Sequence, residues 1–375
     1  NDPFDIYFGP SGSDLVYYPL MFQGMLNPNK KLINIVSCPE ELGSGSGYAS
    51  ESRFYANYNQ FGEKITKGEF VDPKHISEVH YLDARDKEGN ILDRSRSVKE
   101  IINANTDAAV VGSLVFGSKS GIKDDLDIID PDDGTMWVVD LCQFRVDPKL
   151  IHELLEKGVM IMLTGSKFFQ APPFCAAMLV PRKWSEELKQ VEASIIEPYG
   201  KLFSAYDVPW FMQNMREYLP ERENKALRLR WEIALDEMEA YSYWSVEQTD
   251  DIITRWAMGV MARVEDSAYF RLMPDQLKTN MSIISLQVWV NGSALNNTQL
   301  KELFKAITTS THAGFKNGIK KVFFGQPVQY GERSFIRLAI GAYAVRAFLE
   351  EDAIDLHNDY RTIEIIEEFA QKMFG

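Results

Sequence analysis

Residues Met136–Pro181, MWVVDLCQFRVDPKLIHELLEKGVMIMLTGSKFFQAPPFCAAMLVP, are predicted to form two buried strands flanking a short helix, followed by a second pair of strands. Asp140 and Gln143 follow the apolar run MWVV, and Lys167 follows a second apolar run, VMIML. Ligands of open α/β sheets bind outside the carboxyl ends of the strands. A lysine that ends an apolar strand is expected to be partly desolvated, which lowers its pKa and frees the amine as a nucleophile. This spacing predicts a ligand site that contains a reactive lysine.

Four elements of this stretch resemble the cofactor core of the class V aminotransferase-like family of fold type I enzymes, which depend on pyridoxal 5'-phosphate (PLP). They are WVVDLCQ, KLIHELLEKG, VMIMLTGSK and FFQAPPFCAAMLVP. The family pattern is a strand ending in D-x-x-Q, a short helix, a strand ending in a Ser/Thr-Gly-x-Lys turn, and a return strand. The resemblance implies that Asp140 pairs with the pyridinium nitrogen of PLP, Gln143 contacts its phenolic oxygen, and Lys167 forms the Schiff base.

A turn of small residues, GPSGSD, follows the first apolar strand of the chain and precedes a helix-like run. Converging N–H groups and a helix N-terminus make it a candidate phosphate site, and a helix capped by Ser11 or Ser13 is the alternative. The resemblance assigns Ser11, Gly12 and Ser13 to the cofactor phosphate. Asp14 then occupies the acidic position of the family's loop. The family also implies a preceding N-terminal helical segment, which these 375 residues lack.

Two hydroxyl groups, those of Thr164 and Ser166, flank the turn before Lys167. The family uses polar residues at both places to donate hydrogen bonds to the cofactor phosphate. Local capping of the strand-to-turn junction is the alternative. The residue that stacks on the cofactor ring is not identified, because the family's position falls among Glu40 to Leu42. The Gly-Ser run that follows, GSGSG, is either a second phosphate cradle or a flexible connector.

The alternation of strands and helices up to Pro181 predicts an α/β fold with a mostly parallel, helix-covered sheet. We expect a large PLP-binding domain over residues 1–270 and a small α+β domain over residues 271–375. In the small domain, SIISLQVWV, KVFF and SFIRLAI are predicted strands, and a helix is expected to open at Asn297 or Thr298. The resemblance implies that Arg337 binds the substrate α-carboxylate, for which a guanidinium fork is well suited. A surface arginine on an edge strand is the alternative.

Composition limits the possible partners. The net charge of −14 argues against binding nucleic acid or an anionic membrane surface. The three cysteines lack paired metal-ligand spacing, so we expect no metal and a reduced, cytoplasmic protein. No apolar run reaches 18 residues, so we expect no transmembrane helix. The resemblance implies a homodimer that acts on an amino acid or another small molecule bearing an amino group.

The resemblance predicts an aminotransferase that acts at Cα, with Lys167 as the proton carrier. A lyase (C–S or β-elimination), a decarboxylase and an epimerase remain open. Cysteine desulfuration is disfavoured because no cysteine follows Cys175, so the small domain lacks the required nucleophile. A catalytically degenerate PLP-fold scaffold is the alternative of another class, motivated by the unidentified ring-stacking residue.

Overall fold

The computed structural model describes residues 3–375, and these form two compact units. The first unit runs to Asp83 and continues through Asp93–Ser118 and Lys123–Met238. The second contains Glu239–Gly375 together with two short segments from earlier in the chain, Ala84–Leu92 and Lys119–Ile122. The division therefore falls at residue 238 and not at residue 270. The long helix that follows residue 245 accounts for the difference, because it packs on strands and helices of the second unit.

The first unit is built on a seven-stranded sheet whose spatial order is β1-β7-β6-β5-β4-β2-β3. Strands β2 to β6 pair in parallel, whereas β7 is antiparallel to both β6 and β1, so β1 runs in the same direction as β6. The mostly parallel α/β sheet is confirmed. Its strands are β1 Phe4–Gly9, β2 Leu32–Ser37, β3 Ser77–Leu82, β4 Ala109–Val115, β5 Met136–Asp140, β6 Met160–Thr164 and β7 Ala176–Pro181.

The central strands carry apolar residues on both sides because both faces of the sheet are covered. In β5, for example, Met136 and Val138 belong to one hydrophobic cluster, whereas Trp137 and Val139 belong to the other. Helices α2 and α6 contribute to the first cluster, and α4 and α5 to the second. The helices of this unit are α1 Gly12–Leu15, α2 Tyr17–Leu26, α3 Ser46–Ser50, α4 Ser95–Ala104, α5 Pro148–Glu156, α6 Arg182–Leu188, α7 Gln213–Arg216 and the first part of α8 Lys225–Ser242.

The helix between β5 and β6 begins where the local sequence dictates. Asp147 occupies the N-cap of α5 and accepts a hydrogen bond from the backbone N–H of Lys149, and Pro148 takes the first helical position. Both features stabilise a helix start. This short crossover brings β6 back parallel to β5, so the two strands end at the same edge of the sheet.

The second unit contains an antiparallel sheet of order β10-β9-β12-β11, with β8 also paired to β9. Helix α10 begins at Asn297, one of the two predicted starting positions, and its N-cap is Asn296, which forms a reciprocal capping box with Gln299. The predicted strand KVFF is wrong: these residues are irregular and Phe324 packs its ring on Phe304 of α10. The elements are α9 Val246–Glu265, β8 Phe270–Leu272, β9 Ile283–Val290, β10 Ser293–Ala294, α10 Asn297–Thr309, β11 Gly325–Tyr330, β12 Arg333–Ala339, α11 Ala342–Glu350 and α12 His357–Phe374.

Across residues 3–375, the structure contains no helix that combines the length and the apolar character required to cross a bilayer.

Candidate functional site

Three strands of the first unit end at one edge of the sheet. Residue Ala176 of β7 pairs with Gly9 of β1 on one side and with Thr164 of β6 on the other, so these two strand ends lie level. Asp140 ends β5 and pairs with Met162, two residues before the end of β6. The carboxyl ends of β1, β5 and β6 therefore face the same region, which is where ligands of α/β sheets bind.

The turn after β6 holds Lys167. It is closed by backbone hydrogen bonds from Gly165 to the carbonyl of Cys175 (3.0 Å), from Ala171 to Gly165 (3.1 Å) and from Gln170 to Lys167 (3.2 Å). Ser166 is half-buried, and the Lys167 side chain is exposed. The burial expected of this lysine is therefore not observed.

Helix α8 packs on the back of the same turn. A Cβ atom built on Gly165 would lie 2.5 Å from the Cβ of Ala234 and 3.0 Å from the Sγ of Cys175. The indole N–H of Trp231 donates to the carbonyl of Ala176 (3.3 Å). Glycine and alanine thus allow the helix and the lysine turn to meet almost backbone to backbone.

Cys142 lies at the centre of the site. Its backbone N–H donates to Oδ1 of Asp140 (2.7 Å), and its carbonyl accepts from Oγ1 of Thr164 (2.7 Å). Burial raises the pKa of the Cys142 thiol well above its usual range; the Asp140 carboxylate raises it further, and the charge of Lys167 opposes the shift. The thiol therefore lies within electrostatic reach of both predicted active-site groups. Gln143, the next residue, is half-buried.

The loop after β1 covers this cysteine. A Cβ built on Gly12 would lie 2.8 Å from Cys142 Sγ and 3.9 Å from Cγ2 of Thr164. The predicted phosphate loop, the Asp140 strand end and the turn of Lys167 are thus brought together in one unit. The hydroxyl of Thr164 donates to the Cys142 carbonyl. This contact corresponds to the alternative considered for Thr164, a local role at the junction of strand and turn.

Within the loop, Ser11 stands at the N-cap of α1 but makes no side-chain cap. Its hydroxyl instead donates to Oδ2 of Asp14 (2.6 Å), and the Tyr55 hydroxyl donates to the same oxygen (2.7 Å). Asp14 is buried, and burial raises the pKa of its carboxyl to about 6, although the two hydroxyl donors lower it. Tyr55 lies in no recognisable motif, so the sequence alone did not predict it.

The Gly-Ser run that follows β2 packs against this loop. Ser46 and Ser13 share a hydrogen bond between their hydroxyls (3.0 Å). A Cβ built on Gly43 would lie 2.9 Å from the Ser13 hydroxyl, and one built on Gly45 would lie 2.5 Å from the ring of Tyr55. The small residues therefore permit close packing here, and the run forms a second wall beside the Ser11–Ser13 loop.

A buried ion pair fixes the neighbouring strand ends. Arg94 contacts Asp124 (2.6 Å) and donates to the Ser37 hydroxyl (3.0 Å), while Asp124 also accepts from the Val115 N–H (2.8 Å). These bonds tie the end of β2 to the end of β4. Beside them, the buried Glu41 accepts from the Ser118 hydroxyl (2.6 Å). None of these roles was assigned from sequence.

Arg337 belongs to the second unit and lies on β12, between β9 and β11. It is therefore half-buried on an interior strand, not on an edge. Its guanidinium donates to the carbonyls of Lys119 (3.2 Å) and Gln326 (2.9 Å).

Comparison of the chain with protein-family models and with curated protein sequences gives no match. Solved structures do match. Catharanthus roseus tryptophan decarboxylase in complex with L-tryptophan is 14% identical, with a TM-score of 0.58 over 97% of this chain and 69% of that chain. Oryza sativa TDC with PLP and tryptamine is 12% identical, with a TM-score of 0.54 over 100% and 70% of the two chains.

The ureidoglycine-glyoxylate aminotransferase of Bacillus subtilis is 12% identical, with a TM-score of 0.50 over 97% of this chain and 84% of that chain. At these identities the likeness concerns the fold. The chain has the α/β architecture of the fold type I enzymes, with the mostly parallel, helix-covered sheet that the sequence predicted.

Proposed function

We propose that this protein is a PLP-dependent enzyme that acts at Cα of an amino acid. The observation that carries the proposal is the meeting of three segments around Cys142: the Ser11–Ser13 loop, the Asp140 strand end and the turn of Lys167. Solved structures of similar fold include TDC with PLP, an amino-acid decarboxylase and an aminotransferase.

The phosphate of PLP would bind at the loop after β1. The first N–H groups of a helical turn have no acceptor within the helix, so those of Gly12 and Ser13 are suited to an anion. The hydroxyls of Ser11, Ser13 and Ser166 are the candidate side-chain donors. Thr164 has its hydroxyl hydrogen engaged with the Cys142 carbonyl, so we assign it to positioning the turn. The close contact of Gly12 with Cys142 supports this fit, since a side chain would fill the space.

The ring of PLP would lie between Asp140 and Lys167. Asp140 is half-buried and accepts a hydrogen bond from the backbone N–H of Cys142. A carboxylate there would hold the pyridine nitrogen protonated, and Gln143 would donate to the phenolic oxygen. Bound PLP withdraws electrons from Cα of an amino-acid substrate. Lys167 would bind the cofactor covalently and carry the Cα proton as a general base.

Arg337 is the proposed partner of the substrate carboxylate. Its two carbonyl contacts hold the guanidinium in a fixed orientation. A carboxylate is a stronger acceptor than a backbone carbonyl, so it would replace or supplement these contacts. Within the proposed class, transamination is the first candidate. Decarboxylation is the second, because one solved structure of similar fold is a tryptophan decarboxylase and another contains PLP and tryptamine.

The deciding experiment is a visible absorption scan of the purified protein with added PLP. We expect an absorbance band of the lysine-bound cofactor, and borohydride reduction should leave the label on Lys167. Lys167→Ala should lose both the band and turnover, whereas Lys157→Ala, an exposed lysine at the end of α5, should keep both. A colourless protein that takes up no PLP would overturn the enzyme and favour the scaffold.

The products formed from a panel of amino acids identify the reaction class. A panel of amino acids with a 2-oxoacid acceptor should give a new amino acid and a new oxoacid if the enzyme transaminates. Release of carbon dioxide and an amine without an acceptor would instead assign decarboxylation. Pyruvate with ammonia or sulfide would assign elimination, and racemisation alone would assign an epimerase.

We also propose a homodimer. Helix α8 exposes Leu229, Ile233 and Leu235, and the segment that precedes it in the chain exposes Tyr206 and Trp210, the last to 77%. Large apolar side chains exposed in this number are typical of a surface that a partner covers. Light scattering should give twice the chain mass of 42.8 kDa.

A further inference from the structure

The side chains of Ser11, Asp14 and Tyr55 form a hydrogen-bonded triangle at the proposed phosphate loop. Both hydroxyls donate to Oδ2 of Asp14, at 2.6 Å and 2.7 Å, and their oxygens lie 3.2 Å apart. Ser11 therefore points its hydrogen inward, at a carboxylate, and not outward to where an anion would lie. If it stayed ionised, the carboxylate in this position would repel a bound phosphate.

The surroundings of Asp14 make its charge costly. The residue is buried, with 4% of its surface exposed. The ionisable groups that interact with it are Tyr17 and Tyr18 on α2, Tyr55, and the buried carboxyl of Asp207. Its surroundings thus consist of hydroxyls and a second acid. Burial raises the pKa of Asp14 to about 6, so the carboxyl takes up a proton readily near neutral pH.

We propose that Asp14 takes up a proton when a phosphate group occupies the Ser11–Ser13 loop, and that this uptake turns the Ser11 hydroxyl outward to the anion. The proposal rests on the proposed function of this loop. The proton comes from solvent and forms an O–H bond on the Asp14 carboxyl. That O–H then donates a hydrogen bond to the Ser11 oxygen. The Ser11 hydroxyl keeps its own hydrogen and can donate it in a hydrogen bond to the anion. No other bond forms or breaks.

Two effects drive the uptake in the same direction. The negative charge of the anion raises the pKa of a nearby carboxyl. Loss of the Ser11 donor removes one of the bonds that favour the charged carboxylate. The occupied state then holds more protons than the empty state, so the affinity for the anion falls as pH rises above the pKa of the empty site.

The test uses inorganic sulfate, which keeps both charges over the range from about pH 5 to about pH 9, so that only the protein titrates. Calorimetry in buffers of different ionisation enthalpy should show uptake of up to one proton per site. The dissociation constant should rise by up to about tenfold per pH unit above pH 6. Repeating the titration with PLP, followed by absorbance, reports on the cofactor itself.

Asp14→Asn should abolish the proton uptake while the loop still binds sulfate. Tyr55→Phe removes one hydrogen-bond donor from the Asp14 carboxylate, so the pH midpoint of proton uptake should rise. This second variant tests the inference if Asp14→Asn does not fold. Asp207→Asn is the matched control: this other buried acid is bonded to Ser204 and Gln60, and uptake should remain.

The outcomes separate the two proposals. Normal PLP binding with equal pH dependence in the wild type, Asp14→Asn and Tyr55→Phe overturns the inference and leaves the proposed function standing. A wild-type protein that binds neither sulfate nor PLP at any pH overturns both. Proton uptake that persists in Asp14→Asn but vanishes in Asp207→Asn also overturns the inference.

Discussion

At the scale of single residues, Gly12 and Cys142 decide whether the loop and the strand ends can meet. Neither residue stood out as the centre of the site in the sequence. Gly12 was assigned to the cofactor phosphate together with Ser11 and Ser13, and Cys142 was considered only as one of three cysteines that lack metal-ligand spacing. Their contact depends on the registers of β1, β7 and β6, which only the folded sheet defines.

Replacement of Gly12 tests this contact. In Gly12→Ala the new Cβ would lie 2.8 Å from Cys142 Sγ, so the loop or the thiol must shift. We expect unfolding free energy to fall by about 1–3 kcal/mol and PLP affinity to fall at least about tenfold. Urea unfolding and absorbance titration measure the two effects. Cys142→Ala in the same chain should restore most of both; a double variant no better than Gly12→Ala would contradict the contact.

The buried acid Asp207 predicts a pH dependence of stability. Burial raises the pKa of its carboxyl to about 6 from 3.8, despite hydrogen bonds from Ser204 and Gln60. Because the folded-state pKa is the higher one, its favourable contribution is complete below pH 3.8 and is lost as pH rises through 6. The wild type should therefore lose about 3 kcal/mol relative to Asp207→Asn between these limits. If the difference in unfolding free energy between the wild type and Asp207→Asn were the same at pH 3.8 and at pH 6, this prediction would be refuted.

At the scale of elements, sequence patterns located well the strands whose carboxyl ends meet at the candidate site. Continuous apolar runs identify parallel strands because both faces of such a sheet are buried. The patterns failed where packing between distant elements decides the outcome. KVFF is apolar, yet it packs on α10 outside any strand, and nothing in those four letters distinguishes the two cases. The contact of α8 with the lysine turn was likewise not predictable, because α8 follows that turn by about sixty residues.

The Gly165–Ala234 contact gives a prediction for this pair of elements. Gly165→Ala would put two Cβ atoms 2.5 Å apart, and neither can rotate away. We expect a loss of about 1–3 kcal/mol in unfolding free energy and weaker covalent attachment at Lys167. Ala234→Gly alone should cost about 1 kcal/mol as a helix glycine, but it should recover stability in the double variant. Additive losses in a double-mutant cycle would show that the two positions do not meet.

At the scale of the whole molecule, the sequence predicted two units, but it could not assign the segments that cross between them. Ala84–Leu92 and Lys119–Ile122 lie far from residue 239 in the chain, yet they belong to the second unit. Arg85 donates to the carbonyl of Pro274 (3.2 Å) and lies over the ring of Tyr330 (5.5 Å). Asn280 donates to the carbonyl of Gly121 (2.9 Å). Such contacts depend on the three-dimensional path of the chain, which local periodicity does not contain.

It follows that residues 239–375 are not a complete folding unit. Expressed alone, this fragment lacks the bonds made by Arg85 and Gly121. We expect a broad, weakly cooperative thermal transition by circular dichroism, whereas the full chain should melt cooperatively. A fragment that melts sharply, at a temperature seen for the full chain, would show that the two early segments are dispensable.

The position of Cys142 gives this protein an internal reporter of ligand occupancy. Cys38 and Cys175 are buried, whereas Cys142 retains partial exposure beside the loop, Asp140 and Lys167. Its raised pKa keeps it largely in the thiol form, so alkylation should be slow and easily timed. Any molecule seated between the loop and the lysine would shield that one sulfur. Mass spectrometry of a single modified cysteine could therefore rank candidate ligands without knowledge of the reaction.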